Sequence, residues 1–142
     1  MKTVAAIVIC VFLLSSCQNP FSSSGPPNIA GNWTISATSS KFGNQITATG
    51  TIAQNGSQIS GSFSLAGDSC ADSAAASGTL KGNSITMTLS ENGQNVIFTG
   101  TVTNDGSSAS GSYTAAAGGC TNGDTGTWIG SREAANSAEH ER

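Results

Sequence analysis

Residues able to do chemistry are few in this chain and unevenly spread. The only histidine, His140, lies in the polar stretch Ser131 to Arg142, which has no apolar period to dock it on a domain. A Ser-His-Asp or Cys-His site needs an imidazole within hydrogen-bond reach of its nucleophile, so nucleophilic catalysis has no visible base. Zinc is no better served, because Cys70 and Cys120 are far apart and have no second ligand at metal spacing. Carboxylates remain. Asp68, Asp72 and Asp124, together with Asn122, flank those two cysteines. Three Asp drawn together suit a cation such as Ca²⁺ or a sugar, and two of them can in principle work as acid and base. Asp and Asn beside Gly and Ser are equally ordinary loop residues that bond their own backbone. The expectation is therefore a non-enzymatic protein, with no catalytic residue, cofactor or metal assigned and with these four residues as possible ligand or partner loops.

Cys17 belongs to a different chemistry. Lys2 supplies a positive start, and Val4 to Leu14 form an apolar and small-residue run too short to span a bilayer. The run ends in Leu14-Ser15-Ser16-Cys17, which resembles the lipobox of bacterial lipoproteins. The resemblance implies that residues 1–16 are a signal peptide and that Cys17 is the site of lipid attachment and the first mature residue. Residues 17–28, rich in Ser and Pro, then form a flexible tether. In that family a residue other than Asp after the cysteine usually directs the protein to the outer membrane, and Gln18 occupies the position here. The implied location is the cell envelope of a Gram-negative-type bacterium, membrane-anchored through an N-terminal lipid. An ordinary signal peptide followed by a stray cysteine is the alternative. Cys10 falls inside the removed segment and needs no partner.

Removing the leader leaves about 126 residues, enough for one domain with tails. Without Lys2, four Lys and Arg face eight Asp and Glu, so nothing basic is available to hold a nucleic-acid backbone. Gly, Ser, Thr, Ala and Asn dominate, and pattern rather than composition shows that the chain folds.

Compared with itself at an offset of 50, the chain aligns Thr49 to Phe63 with Thr99 to Tyr113, and Cys70 with Cys120. Gly78 to Gly82 matches Gly126 to Gly130 after a short slip. Asn55-Gly56 and Asp105-Gly106 sit between alternating stretches and supply hairpin turns. A turn at Asn55-Gly56 sets Ile52 opposite Ile59, Gly50 opposite Gly61, Ala48 opposite Phe63 and Ile46 opposite Leu65. The other face becomes a ladder of Thr and Ser. The second copy pairs Val102 with Ala109 and Phe98 with Tyr113. Gly82-Asn83 sets Leu80 against Ile85, and Asn92-Gly93 sets Leu89 against Val96 and Met87 against Phe98.

With Trp33, Ile35 and Ala37 opening the series and Gly126 and Trp128 closing it, the reading is all-β: eight antiparallel up-and-down strands made of two four-strand repeats, about 29–81 and 82–131. The domain spans 29–131, with a polar disordered tail at 132–142. One apolar face on eight strands allows closure into a β-barrel, which removes both edges; a two-sheet sandwich is the alternative. Inward glycines at 50, 61, 78, 100, 111 and 126 suit a small, sharply bent barrel. Gly31-Asn32-Trp33 on the first strand and Arg132 after the last resemble the Gly-x-Trp and late Arg of the lipocalin and avidin group of calycin barrels. That likeness implies a Trp plugging one end with the Arg packed across it. Trp33 and Trp128 are too few for an avidin-type biotin cage.

Chain direction puts the turns at 55–56, 82–83 and 105–106 and both chain ends at the tether end, so that the tight turns gather there. Loops Ala66 to Ser73 and Ala116 to Asp124 lie at the other end. An exported chain with Cys70 and Cys120 in matched loops predicts a disulfide between them, the alternative being two separately buried thiols. Two functions stay open: an interaction or structural module with a filled barrel, or a lipocalin-like binder of a small apolar ligand in the barrel mouth. The aromatics beside the inward glycines favour filling. An envelope protein, a glycan or a small apolar ligand are the candidate partners.

Overall fold

The computed structural model describes residues 25–134. Cys10, Cys17, the leader and His140 lie outside the described residues. Eight strands follow in chain order: β1 (Gly31–Ser39), β2 (Gln45–Asn55), β3 (Gln58–Ala66), β4 (Ser73–Lys81), β5 (Ser84–Glu91), β6 (Gln94–Val102), β7 (Ser108–Ala115) and β8 (Thr125–Arg132). Each pairs antiparallel with the next, and β8 returns to pair with β1, so the sheet closes into an up-and-down barrel and the sandwich alternative is excluded.

Alternation is the cause of closure. Ile85, Met87 and Leu89 on β5 point inward and are buried, while Ser84 and Ser90 are exposed and Thr86 and Thr88 also face outward. The same period on every strand gives one interior of Ile, Leu, Val, Ala, Met and aromatic side chains. Two large apolar side chains on the strands face outward, Ile97 and Ile129.

Three of the four hairpins have the expected register. Leu80 pairs with Ile85, Leu89 with Val96, and Phe98 with Tyr113. Asn92 (φ 47°) and Gly93 (φ 81°) both take the left-handed conformation that an Asn-Gly hairpin turn requires. This turn sits at the long-loop end, so the tight turns are not all gathered at the tether end. The Asp105-Gly106 connection is a longer loop over 103–107. In it the Asp105 carboxylate accepts from Thr103 Oγ1 at 2.6 Å, Ser107 N at 3.0 Å and Ser107 Oγ at 2.8 Å. Those bonds, Thr103 first, hold its pKa at about 2.

The first hairpin differs from expectation by two residues. Gly50 pairs with Phe63, Ile52 with Gly61 and Asn55 with Gln58, so the turn is Gly56-Ser57 rather than Asn55-Gly56. A slip of two leaves every side chain on its own face, which is why the hydrophobic pattern alone did not distinguish the registers. Gln54 locks the observed one. Its Oε1 accepts from Ile29 N at 2.7 Å, and its Nε2 donates to Pro27 O and Gly56 O at 3.2 and 3.0 Å. The two copies of the repeat therefore share strands but not hairpin register.

The tether end is stoppered. Trp33, 3% exposed, donates from Nε1 to Ile29 O at 2.7 Å, and Arg132 is its cross-strand partner on β8. The Arg132 guanidinium ties down Asn28 O and Ala30 O at 3.0 and 3.1 Å, which closes the floor of the barrel and fastens the incoming chain to it. The closed eight-stranded antiparallel barrel is compatible with a small calycin-like barrel.

Above the floor, rings take the room that glycines vacate. A Cβ on Gly50 would meet Ser62 O of the neighbouring strand at 2.0 Å and the Phe63 ring at 2.8 Å, and one on Gly100 would meet Ser110 O at 2.1 Å and Trp128 at 2.9 Å. Phe98 stacks on Tyr113 (centroids 5.5 Å, 26°) and meets Trp128 edge-on (5.8 Å, 72°). Beneath them a gap of only about 10 Å³ remains among Trp33, Ile35, Met87 and Trp128.

Candidate functional site at the barrel mouth

Following the inward period to the top rung of the barrel brings apolar side chains to an end and polar ones into their place. On β1 the series Trp33, Ile35, Ala37 ends in Ser39; on β5, Ile85, Met87, Leu89 ends in Glu91; on β8, Trp128 and Gly126 lead back to Asp124. Ser39, Glu91 and Asp124 are all buried. Together with Tyr113 they form a polar ring over the aromatic core.

Asp124 is fully engaged within this ring. Its Oδ2 accepts from the Tyr113 hydroxyl at 2.7 Å, and its Oδ1 accepts from Ser39 Oγ at 2.8 Å and Thr125 N at 2.9 Å. Burial, reinforced by the bond to Asp124, raises the Tyr113 phenol well above its ordinary range, so the hydroxyl stays a donor. The sequence offered Asp124 as a possible ligand residue; in the fold, Tyr113, Ser39 and Thr125 occupy it as a structural acceptor.

Glu91 is the opposite case. It is 4% exposed, and its Oε2 has no hydrogen-bond partner among the described residues. Burial first, then the facing carboxylate of Asp68, raises its pKa from 4.5 to about 7. Glu91 and Asp68 line the same cavity with Asp124 and Tyr113, beneath a rim that includes Phe42, Ser69, Cys70 and Cys120. The cavity holds about 80 Å³, and Leu65, Leu89, Val96 and Phe98 form its apolar walls.

The loops over the mouth are tied together. Cys70 and Cys120 form the expected disulfide, with Cα atoms 5.5 Å apart. Cys70 N donates to Asp68 Oδ1 at 2.6 Å, and Asn92 Nδ2 donates to Cys70 O at 2.5 Å. Thr121 Oγ1 donates to Gln94 Oε1 at 2.7 Å, fixing the second loop to β6. Lys41 Nζ donates to Asn122 O at 3.0 Å across the rim.

Of the four loop residues singled out in the sequence, the fold brings Asp68 and Asp124 to one cavity. Asp72 lines a neighbouring surface hollow that it shares with Asp68, Ser69, Ala71 and Asn92, and Asn122 is exposed on the rim. The three Asp do not converge, and no group of three or more His, Cys, Asp or Glu placed to hold a metal ion occurs among the described residues. Sequence reasoning missed Glu91. Its signal was present in the alternation Ile85, Met87, Leu89, Glu91, which places an acid at an inward position.

No protein-family model matches the chain, and no curated protein matches it. The lipobox resemblance of residues 14–17 therefore rests on the sequence alone.

Proposed function

We propose that this chain is a lipid-anchored cell-envelope lipoprotein whose barrel is a non-enzymatic interaction or structural domain, working through its loop end. The observation that carries this reading is the packed interior: among the described residues the core is filled by rings, and the space at the mouth holds about 80 Å³. Pockets for drug-sized ligands run to roughly 300–1,000 Å³, several times larger. The fastened floor and the disulfide-linked mouth lie at opposite ends, so a tether ending at Asn28 presents the mouth away from the anchor.

Native mass spectrometry of the freshly purified full chain tests the filled interior. The reading expects no bound lipid or other apolar molecule, and a retained one of several hundred daltons would overturn it. The anchor is tested separately by Cys17→Ser, which is expected to release the protein from membranes; membrane retention of this variant after a high-salt wash would refute lipidation there.

A further inference from the structure

We propose that the barrel mouth is a binding site for a primary alkylammonium group, taken in by Glu91 with Asp68 beside it. The proposal rests on the reading that the mouth is the working face, and it adds the chemistry recognised there.

Four observations converge on that class of ligand. Glu91 is 4% exposed and lines the cavity, and its Oε2, shielded from solvent, has no partner among the described residues. A buried acceptor of this kind is unusual, and a donor in the cavity satisfies it. The lining contributes Asp68, Glu91 and Asp124 but no lysine, arginine or histidine among the described residues, so the donor it favours is cationic. The acids also segregate along the barrel. Asp68, Asp72, Glu91 and Asp124 stand at the mouth against Lys41, which is already engaged with Asn122 O, whereas Lys81 and Arg132 lie toward the opposite end with Asp105 and Glu133.

Shape narrows the cation. Leu65, Leu89, Val96 and Phe98 make a short apolar sleeve leading to the acids, which suits an alkyl stem below a charged head. At about 80 Å³ the space takes a head and a few methylenes rather than a ring system. A single unpartnered carboxylate oxygen matches a point-like ammonium better than the planar fork of a guanidinium, which seeks two parallel acceptors. Asp124 already accepts from Tyr113, Ser39 and Thr125, so it contributes field more than a bond. A free aliphatic amine that enters stem first fits this order; a protein lysine, whose stem is tied to its backbone outside the mouth, does not.

Calorimetric titration of the purified full chain in detergent with n-butylammonium chloride at pH 8 tests the site, with n-butanol as the neutral isostere. Saturable n-butylammonium binding is expected, with n-butanol and the Glu91→Gln variant each at least about tenfold weaker, the loss that follows removal of a charged hydrogen bond. Asp68→Asn, on the rim, is expected to weaken binding severalfold even if Glu91→Gln fails to fold. Nα-acetyl-lysine methylamide, whose stem cannot enter ahead of its ammonium, is expected to bind at least severalfold more weakly than n-butylammonium, and equal binding would overturn the stem-inward placement. Absence of saturable n-butylammonium binding, or equal binding of n-butanol, would overturn the proposal. The interaction-domain reading fails by a different result, an apolar molecule retained in native mass spectrometry.

Discussion

The Tyr113 hydroxyl donates to Asp124 Oδ2 at 2.7 Å, closing the top rung of the barrel between β7 and the start of β8. Tyr113→Phe removes one of three donors from a buried carboxylate and leaves the ring stacking on Phe98 intact. The expected cost is about 1–3 kcal/mol, the range for a hydrogen bond to a charged group, read from urea denaturation.

Glu91 makes stability depend on pH. Its pKa is raised from 4.5 to about 7 by burial and by Asp68, so the folded state holds the proton more tightly than the unfolded chain. The stabilisation is fully present below about pH 4.5 and is lost as pH rises through about 7. Other acids titrate too, but the difference between the native protein and Glu91→Gln isolates this group. Glu91→Gln is expected to be more stable than the native protein at pH 8, by roughly 1–3 kcal/mol, and the gap should narrow toward pH 5.

The disulfide joins positions 50 residues apart and ties the two mouth loops. In the chain-entropy account its removal costs about 2–4 kcal/mol. In the double variant Cys70→Ser with Cys120→Ser, hydrogen exchange should accelerate first over 67–72 and 116–124, while β1 and β8 at the stoppered end stay protected.

Rings fill the space that a side chain would need at Gly50 and Gly100. Gly100→Ala forces the β7 backbone to move, because the added methyl lies 2.1 Å from Ser110 O as well as 2.9 Å from Trp128 Cζ2. Overpacking of this kind costs about 1–3 kcal/mol and should lower the thermal midpoint, whereas a methyl at Gly25 meets nothing within 4 Å and should leave it unchanged.

Strand number, order, facing and closure were legible because inward alternation and turn residues agreed along the whole chain. Asn92-Gly93 and Gly82-Asn83 fixed their registers, since each turn leaves a single pairing with its flanking strands. The first hairpin was not fixed in this way. Asn55-Gly56 and Gly56-Ser57 both keep the faces intact, and the choice falls to Gln54, whose partners Ile29 and Pro27 are distant in sequence. The disulfide followed from matched loops in a repeat. The site was half legible: Asp68 and Asp124 stood out as loop acids, but their different fates depend on Tyr113 and Ser39, which alternation marked only as interior. Glu91 was hidden because an acid beside a turn ordinarily faces water, and only its parity with Leu89 says otherwise.

The central claim, a domain that works through its mouth and not its stoppered end, is tested most directly by photo-crosslinking in intact cells. A crosslinking amino acid is placed at the mouth, replacing Ser69 or Asn122, or at the opposite end, replacing Ser57 or Lys81; all four positions are exposed. The account predicts a discrete crosslinked adduct from the mouth positions and none from the others. Adducts arising from Ser57 and Lys81 alone would contradict it.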